Sequence, residues 1–198
     1  MKKIILSALA VFAFGITNAQ ETKFGLKVGG NLSSLRATNF EGGDDITIKF
    51  NGNVGFLAGG FAEIKVADKF AVQPEVLFSY ESNTMAAEGD VDFNLSYINV
   101  PVMAKYFASE KISLQVGPQI GFLVGAKAKF EGDSEDIKDD LETVNFGLNF
   151  GLGYELTENV VVDFRYNIGL TGITKEDFLG EDSKLKTSGF SLAVGYKF

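Results

Sequence analysis

Residues 190–198 constrain this chain more than any other stretch. Phe190, Leu192, Val194, Tyr196 and Phe198 alternate with Ser191, Ala193, Gly195 and Lys197. In an extended strand this puts all of the large apolar and aromatic side chains on one face. A strand bathed in water gains little from such a face. A barrel crossing a bilayer must pair its last strand with its first and turn its apolar side to lipid. The ending therefore reads as the closing strand of a membrane barrel.

The same alternation recurs upstream, so that eight segments of this kind can be read in all. Residues 24–32 carry Phe24, Leu26, Val28 and Leu32 on one face. Residues 53–64 come next, with Gly59-Gly60 blurring the phase and suggesting a bulge. In residues 70–80, Phe70, Val72, Val76, Phe78 and Tyr80 oppose Ala71, Gln73, Glu75 and Ser79. Pro74 cannot donate a ladder bond and suggests a second bulge. Residues 93–107 change phase between Tyr97 and Ile98. Residues 112–128 set Ile112, Leu114, Val116, Ile120, Phe122, Val124 and Ala126 against Ser113, Gln115, Gly117, Gln119, Gly121 and Gly125. Residues 144–155 and 160–170 repeat the pattern, and residues 190–198 end it.

The connections alternate in length. Residues 65–69, 108–111 and 157–159 make short turns, whereas residues 33–52, 81–92, 129–143 and 172–186 are long and polar. This predicts an all-β, eight-stranded antiparallel up-and-down transmembrane β-barrel. Its short turns and both termini are expected on the periplasmic side.

Alternation alone does not say which face points inward. A soluble lipocalin-like barrel has eight strands too, but turns its apolar face toward a ligand. Here the polar face is rich in Gly, Gln and Asn, as a crowded lumen of mutually satisfied groups requires. The opposite face draws on 19 Phe and many Leu and Val. These would overfill so narrow a barrel, so they are expected to face lipid.

Residues 1–19 read as a secretory signal, leaving residues 20–198 as the barrel domain. Lys2 and Lys3 precede the apolar run 4–16, and Thr17-Asn18-Ala19 offers a cleavage site. The chain has no Cys, which excludes structural disulfides and a lipid-modified cysteine. A net charge of −8 argues against a nucleic-acid partner.

Several motifs resemble the PorT-like outer-membrane β-barrel family. They are Gln73-Pro74-Glu75-Val76-Leu77-Phe78-Ser79-Tyr80, the stretch from Tyr97 through Asn99-Val100-Pro101 to Tyr106, Gly117-Pro118-Gln119-Ile120-Gly121, Asp163-Phe164-Arg165-Tyr166-Asn167-Ile168-Gly169-Leu170, and Gly195-Tyr196-Lys197-Phe198. The resemblance covers essentially all of the mature chain. It implies an eight-stranded outer-membrane barrel. The family's namesake belongs to a secretion apparatus for exported proteases, and no residue here carries that role over.

The inward face is expected to hold Lys27, Glu63, Glu75, Lys105, Lys127, Glu155, Asp163, Arg165 and Lys197, with Glu75 and Arg165 meeting across the lumen. Buried charges must be paired, so this set reads as a salt-bridge network that fills the interior rather than as an ion path. Acidic residues crowd the long connections: Glu41, Asp44 and Asp45 in the first, Glu131, Asp133, Glu135, Asp136, Asp139, Asp140 and Glu142 in the third, and Glu176, Asp177, Glu181 and Asp182 in the last. Their spacing does not match an EF-hand loop, and they read as a hydrated outer surface. Tyr80, Tyr97, Tyr106, Phe107, Tyr154, Tyr166 and Tyr196 lie near segment ends, as interfacial girdles do.

With no His and no Cys, Ser-His, Asp-His and cysteine-nucleophile chemistry is excluded. No enzyme activity, cofactor or metal is expected. The expected role is a non-enzymatic structural or interaction protein of the cell envelope. An accessory subunit of an envelope or protein-secretion machine and a narrow diffusion or ion channel are the alternatives. The expected partners are outer-membrane lipid and the barrel-insertion machinery, for which Phe190, Tyr196 and Phe198 form the candidate assembly signal, with envelope or secretion proteins as further candidates.

Overall fold

In the computed structural model, residues 21–39, 48–49, 51–85, 91–130, 133–175 and 183–198 are described. The strands are β1 (Glu21–Asn39), β2 (Ile48–Lys49), β3 (Asn51–Ala67), β4 (Phe70–Met85), β5 (Val91–Phe107), β6 (Ile112–Phe130), β7 (Asp133–Asp136), β8 (Val144–Glu155), β9 (Val160–Gly169) and β10 (Ser183–Lys197). β2 and β7 are short additions. The other eight pair with their neighbours in chain order, all antiparallel, and β10 closes onto β1 from Gly25↔Lys197 to Asn39↔Ser183. The Phe198 N–H donates to the Phe24 carbonyl at 2.9 Å, so the chain end is stitched into the closure. A closed sheet leaves no unpaired edge, which a lipid environment demands.

The outer face is apolar all the way round. Phe24, Leu26, Val28, Phe56, Phe70, Leu114, Phe122, Phe150, Phe164 and Leu192 are all exposed. Phe164 and Tyr166 pack on Phe190 across the β9–β10 pair, with ring centroids 5.8 and 4.7 Å apart.

Hydroxyl side chains shape two of the short turns. Ser109 Oγ accepts from the backbone N–H groups of Lys111 and Ile112 at 3.3 and 3.1 Å. Thr157 Oγ1 does the same for Asn159 and Val160 at 3.3 and 3.0 Å. Such bonds supply partners that a tight reversal takes from the ladder.

The structure corrects the sequence reading in several places. The strands run further toward the long-loop rim than alternation suggests: β1 continues to Asn39, β4 to Met85 and β6 to Phe130, while β10 starts at Ser183. There is no bulge at Gly59-Gly60. The register runs unbroken through Lys27↔Gly59 and Gly59↔Leu77, and β3 shifts instead between Asn53 and Phe56 and between Lys65 and Ala67. Pro74 is no bulge either, because Gln73↔Met103, Pro74↔Val102 and Leu77↔Asn99 keep one register. Each proline forfeits one donor without displacing the strand.

Nor does β5 change phase at Tyr97. Leu95, Tyr97, Asn99, Pro101, Met103 and Lys105 all point inward. What changes there is the interior, from polar to apolar. The irregularity lies opposite, in β6, where Ser96 pairs with Gly125 but Tyr97 pairs with Leu123. The extra residue, Val124, reverses the facing of the side chains beyond it. Leu123 and Ala126 therefore both face inward, and Lys127 is exposed outside the lumen. Tyr97 likewise leaves the aromatic girdle for the interior.

The buried apolar cluster sits at the long-loop end. Leu35, Leu95, Tyr97, Leu123, Ala126 and Leu185 come from strands, while Ile137, Leu141 and Ile173 come from connecting segments. β8 and β9 span 12 and 10 residues against 19 for β1 and β6. The wall is low on that side, and residues 137–141 and 173–174 fill the gap. They are tied down by Ile137 N–H to the Ala126 carbonyl at 3.2 Å, Glu142 N–H to Ile173 at 2.8 Å and Ile173 N–H to Leu185 at 2.8 Å. Each large side chain buried there contributes about 1.5–3 kcal/mol. The result is an apolar cap inside the barrel.

Candidate functional site in the barrel lumen

Each of the eight barrel strands sends a polar side chain into the lumen, and these side chains stack in levels. Nearest the short turns, Lys105 Nζ donates to Glu63 Oε2 at 2.5 Å and to Gln73 Oε1 at 3.1 Å. Lys197 Nζ bridges Glu155 Oε2 at 2.7 Å and Glu63 Oε1 at 3.4 Å. This quartet draws on β3, β5, β8 and β10.

Above it lies a more tightly bonded centre from β1, β4 and β9. The Arg165 guanidinium grips Glu75 with both ends, NH1 to Oε2 at 2.9 Å and NH2 to Oε1 at 2.7 Å. Such forked pairs are stronger than single contacts. Lys27 Nζ lies 2.9 Å from Glu75 and 2.5 Å from Asp163. Gln115 of β6 accepts from Arg165 Nε at 3.0 Å and donates to Asp163 Oδ1 at 2.6 Å. Gln73 donates to Glu75 at 2.5 Å.

Lys27, Lys105, Arg165 and Lys197 thus face Glu63, Glu75, Asp163 and Glu155, and the charges cancel. A buried ion is tolerated only when so compensated. All of these residues are almost wholly buried except Glu155, whose side chain keeps 11% exposure. The structure brings together all the lumen residues expected from sequence except Lys127.

The next level is a chain of amides that sequence reasoning named only as a composition. Asn167 donates to Asn149 at 3.1 Å, Asn149 to Gln119 at 3.0 Å, Gln119 to Asn99 at 3.1 Å and Asn99 to Ser79 Oγ at 2.8 Å. It links β9, β8, β6, β5 and β4 in order. Above it comes the apolar cap. That cap escapes a sequence reading because inward apolar residues such as Leu95 and Tyr97 mimic a change of phase.

Chemically this arrangement holds the wall together and fills its interior. Ions, amides and hydrocarbon succeed one another along the axis. At the short-turn rim, Glu21 accepts from Lys65 at 2.7 Å, and this bond, with Lys23, holds its carboxyl below the ordinary carboxylate range.

Asp133, Glu135, Asp136, Asp139, Asp140 and Glu142 are exposed at the opposite rim. Asp136 Oδ1 accepts from the Lys138 N–H at 3.0 Å, and Lys175 Nζ bonds the Asp139 carbonyl. Glu41, Asp44, Asp45, Glu131, Glu176, Asp177, Glu181 and Asp182 lie outside the described residues, as does the expected signal segment. Among the described residues no cluster of three or more His, Cys, Asp or Glu is arranged to hold a metal, and no helix is long and apolar enough to cross a membrane.

The comparisons with known proteins agree with this geometry. Neisserial surface protein A, known from a crystal structure, superposes with a TM-score of 0.54 over 90% of this chain and 100% of its own, at 18% identity. Ail, the attachment invasion locus protein of Yersinia pestis, matches over the same shares with 21% identity and a TM-score of 0.48. Among curated proteins none matches by sequence. The family model described as the outer membrane protein beta-barrel domain matches residues 18–175, up to the connection before β10. The match covers most of the chain, the barrel is closed and its outer face is apolar: the chain belongs to the outer membrane protein beta-barrel domain family.

Proposed function

We propose that this barrel is a non-enzymatic structural or interaction protein of the outer membrane, with its long acidic connections turned to the exterior. The observation that carries the reading is the filled lumen. A charge-neutral ionic core, an amide chain and an apolar cap occupy the axis in series, which suits a plugged scaffold better than a conduit. The orientation rests on the usual placement of short turns toward the periplasm. Phe190, Tyr196 and Phe198, all exposed, act as the signal read during insertion of the barrel. An N-terminal signal delivers the chain for export.

A specific observation supports the interaction role. β7 extends the wall as a hairpin arm on β6, from Lys127↔Asp136 to Phe130↔Asp133, and Asp133, Ser134, Glu135 and Asp136 are all exposed. An exposed acidic strand on the rim of the wall fits docking by a basic partner surface. With the PorT-like motifs, this supports an accessory subunit of an envelope or secretion machine as the second reading.

Photo-crosslinking from Glu135 in intact cells tests the interaction role. The expected product is a single crosslinked species of fixed stoichiometry. Recovery of monomer alone would remove the interaction role and leave the structural one.

A further inference from the structure

Among the described residues, the four cations and four carboxylates of the lumen network leave one inward carboxylate over. Alternation along β4 puts Glu81 on the inner face, between Ser79 and Asn83, both buried. Its one hydrogen bond among the described residues comes from Ser79 Oγ at 3.4 Å, long for a bond to a carboxylate. No ion pair among the described residues reaches it. An inward carboxylate needs compensation.

Glu81 borders a cavity of about 80 Å³ at the level of the amide chain, lined also by Asn99, Gln119 and Asn149 and, on its inner side, by Lys27, Asp163 and Arg165 of the ionic core. Lys27 and Arg165, on the inner side, are taken up by Glu75 and Asp163, and two amide oxygens near Glu81 have no donor among the described residues. Asn31 lines the cavity, and its Oδ1 is buried with no donor among the described residues. Asn83 is fully buried; its Nδ2 donates to Ser33 Oγ at 3.2 Å, and its own Oδ1 receives nothing among the described residues. Ser33 is itself part of the cavity lining. Water would satisfy the amide oxygens but would not balance the carboxylate.

We propose that the cavity beside Glu81 binds one monovalent alkali cation, balanced by the Glu81 carboxylate and solvated by the Asn31 amide oxygen and water. The cavity has room for an ion together with several waters, each of which needs about 10–15 Å³ of such space. Asp163 also lines the cavity but is held by Lys27 and Arg165, which leaves Glu81 alone to balance an ion, whereas calcium sites combine several carboxylates. The site lies in the lumen, separate from the exposed acidic arm, and does not depend on any partner.

The test compares thermal unfolding of the full-length barrel, in lipid, in potassium chloride and in choline chloride at equal ionic strength. Choline is too bulky for the cavity and leaves general screening unchanged. The midpoint is expected to be higher in potassium by about 2–4 °C, and E81Q, which keeps the shape but not the charge, is expected to abolish that difference. Equal midpoints for the wild type, or a difference that survives in E81Q, would overturn the proposal. A second readout is the infrared difference between the wild type and E81Q in potassium at neutral pH, which is expected to show no protonated-carboxyl band. A protonated-carboxyl band present in the wild type and lost in E81Q would mean that a proton balances Glu81, and would overturn the cation site.

Discussion

Replacing Arg165 with alanine is expected to destabilise the folded barrel by about 3–5 kcal/mol, the usual consequence of removing one partner of a buried ion pair. Glu75 would lose both arms of the fork, at 2.9 and 2.7 Å. It would keep Lys27 and Gln73, at 2.9 and 2.5 Å. Lys27 is already shared with Asp163, so two carboxylates would then depend on one ammonium. Gln115 would also lose its bond from Arg165 Nε at 3.0 Å. The variant R165K restores the charge but not the planar fork, and is expected to recover part of the loss. Equilibrium unfolding by denaturant, starting from the barrel in lipid, reads both. Wild-type resistance in R165A would refute the claim that this network braces the wall.

The second large effect comes from a residue with no side chain. Gly117 pairs with Asn149 and faces the lumen. A Cβ there would sit 2.8 Å from the Cα of Met103 and from the carbonyl carbon of Val102. Both atoms belong to the β5 backbone, which the ladder holds from both sides. A flexible side chain could swing away, but a paired strand cannot. Overpacking of this kind costs about 1–3 kcal/mol in ordinary cores, and the rigid neighbour places Gly117→Val at the top of that range. Gly30→Ala is the control, because its Cβ would meet only the Gly55 carbonyl oxygen at 3.7 Å, an ordinary contact. In refolding into lipid, G117V is expected to yield little folded barrel and G30A a normal amount. Normal folding of G117V would show that β5 and β6 separate more easily than their pairing implies.

The barrel itself was legible in sequence because lipid imposes a strict two-residue period. Wherever a strand crosses the apolar zone, as in residues 144–155, the outer face must be hydrocarbon and the pattern is clean. Beyond that zone the constraint lapses. Residues 183–186 of β10 read as loop because Ser183, Lys184 and Lys186 interrupt the apolar period of the sequence, leaving no contrast to detect. The inward position of Glu75, Asp163 and Arg165 comes directly from alternation with apolar neighbours. Lys127 was misplaced by one inserted residue, Val124, since a bulge reverses every later side chain. The apolar cap was hidden for a different reason. Its strand members point inward where a polar residue is anticipated, and its lid, Ile137, Leu141 and Ile173, comes from connections that carry no period at all. Only the low wall of β8 and β9 makes that lid necessary, and alternation marks the ends of strands poorly.

Planar-bilayer recording of the purified full-length barrel tests the central claim most directly. If ion pairs, amides and the apolar cap fill the lumen as described, the inserted protein will show no discrete openings across the voltage range that the bilayer survives. Reproducible unitary openings would contradict the filled lumen and with it the structural or interaction role, and would return the chain to the class of small channels.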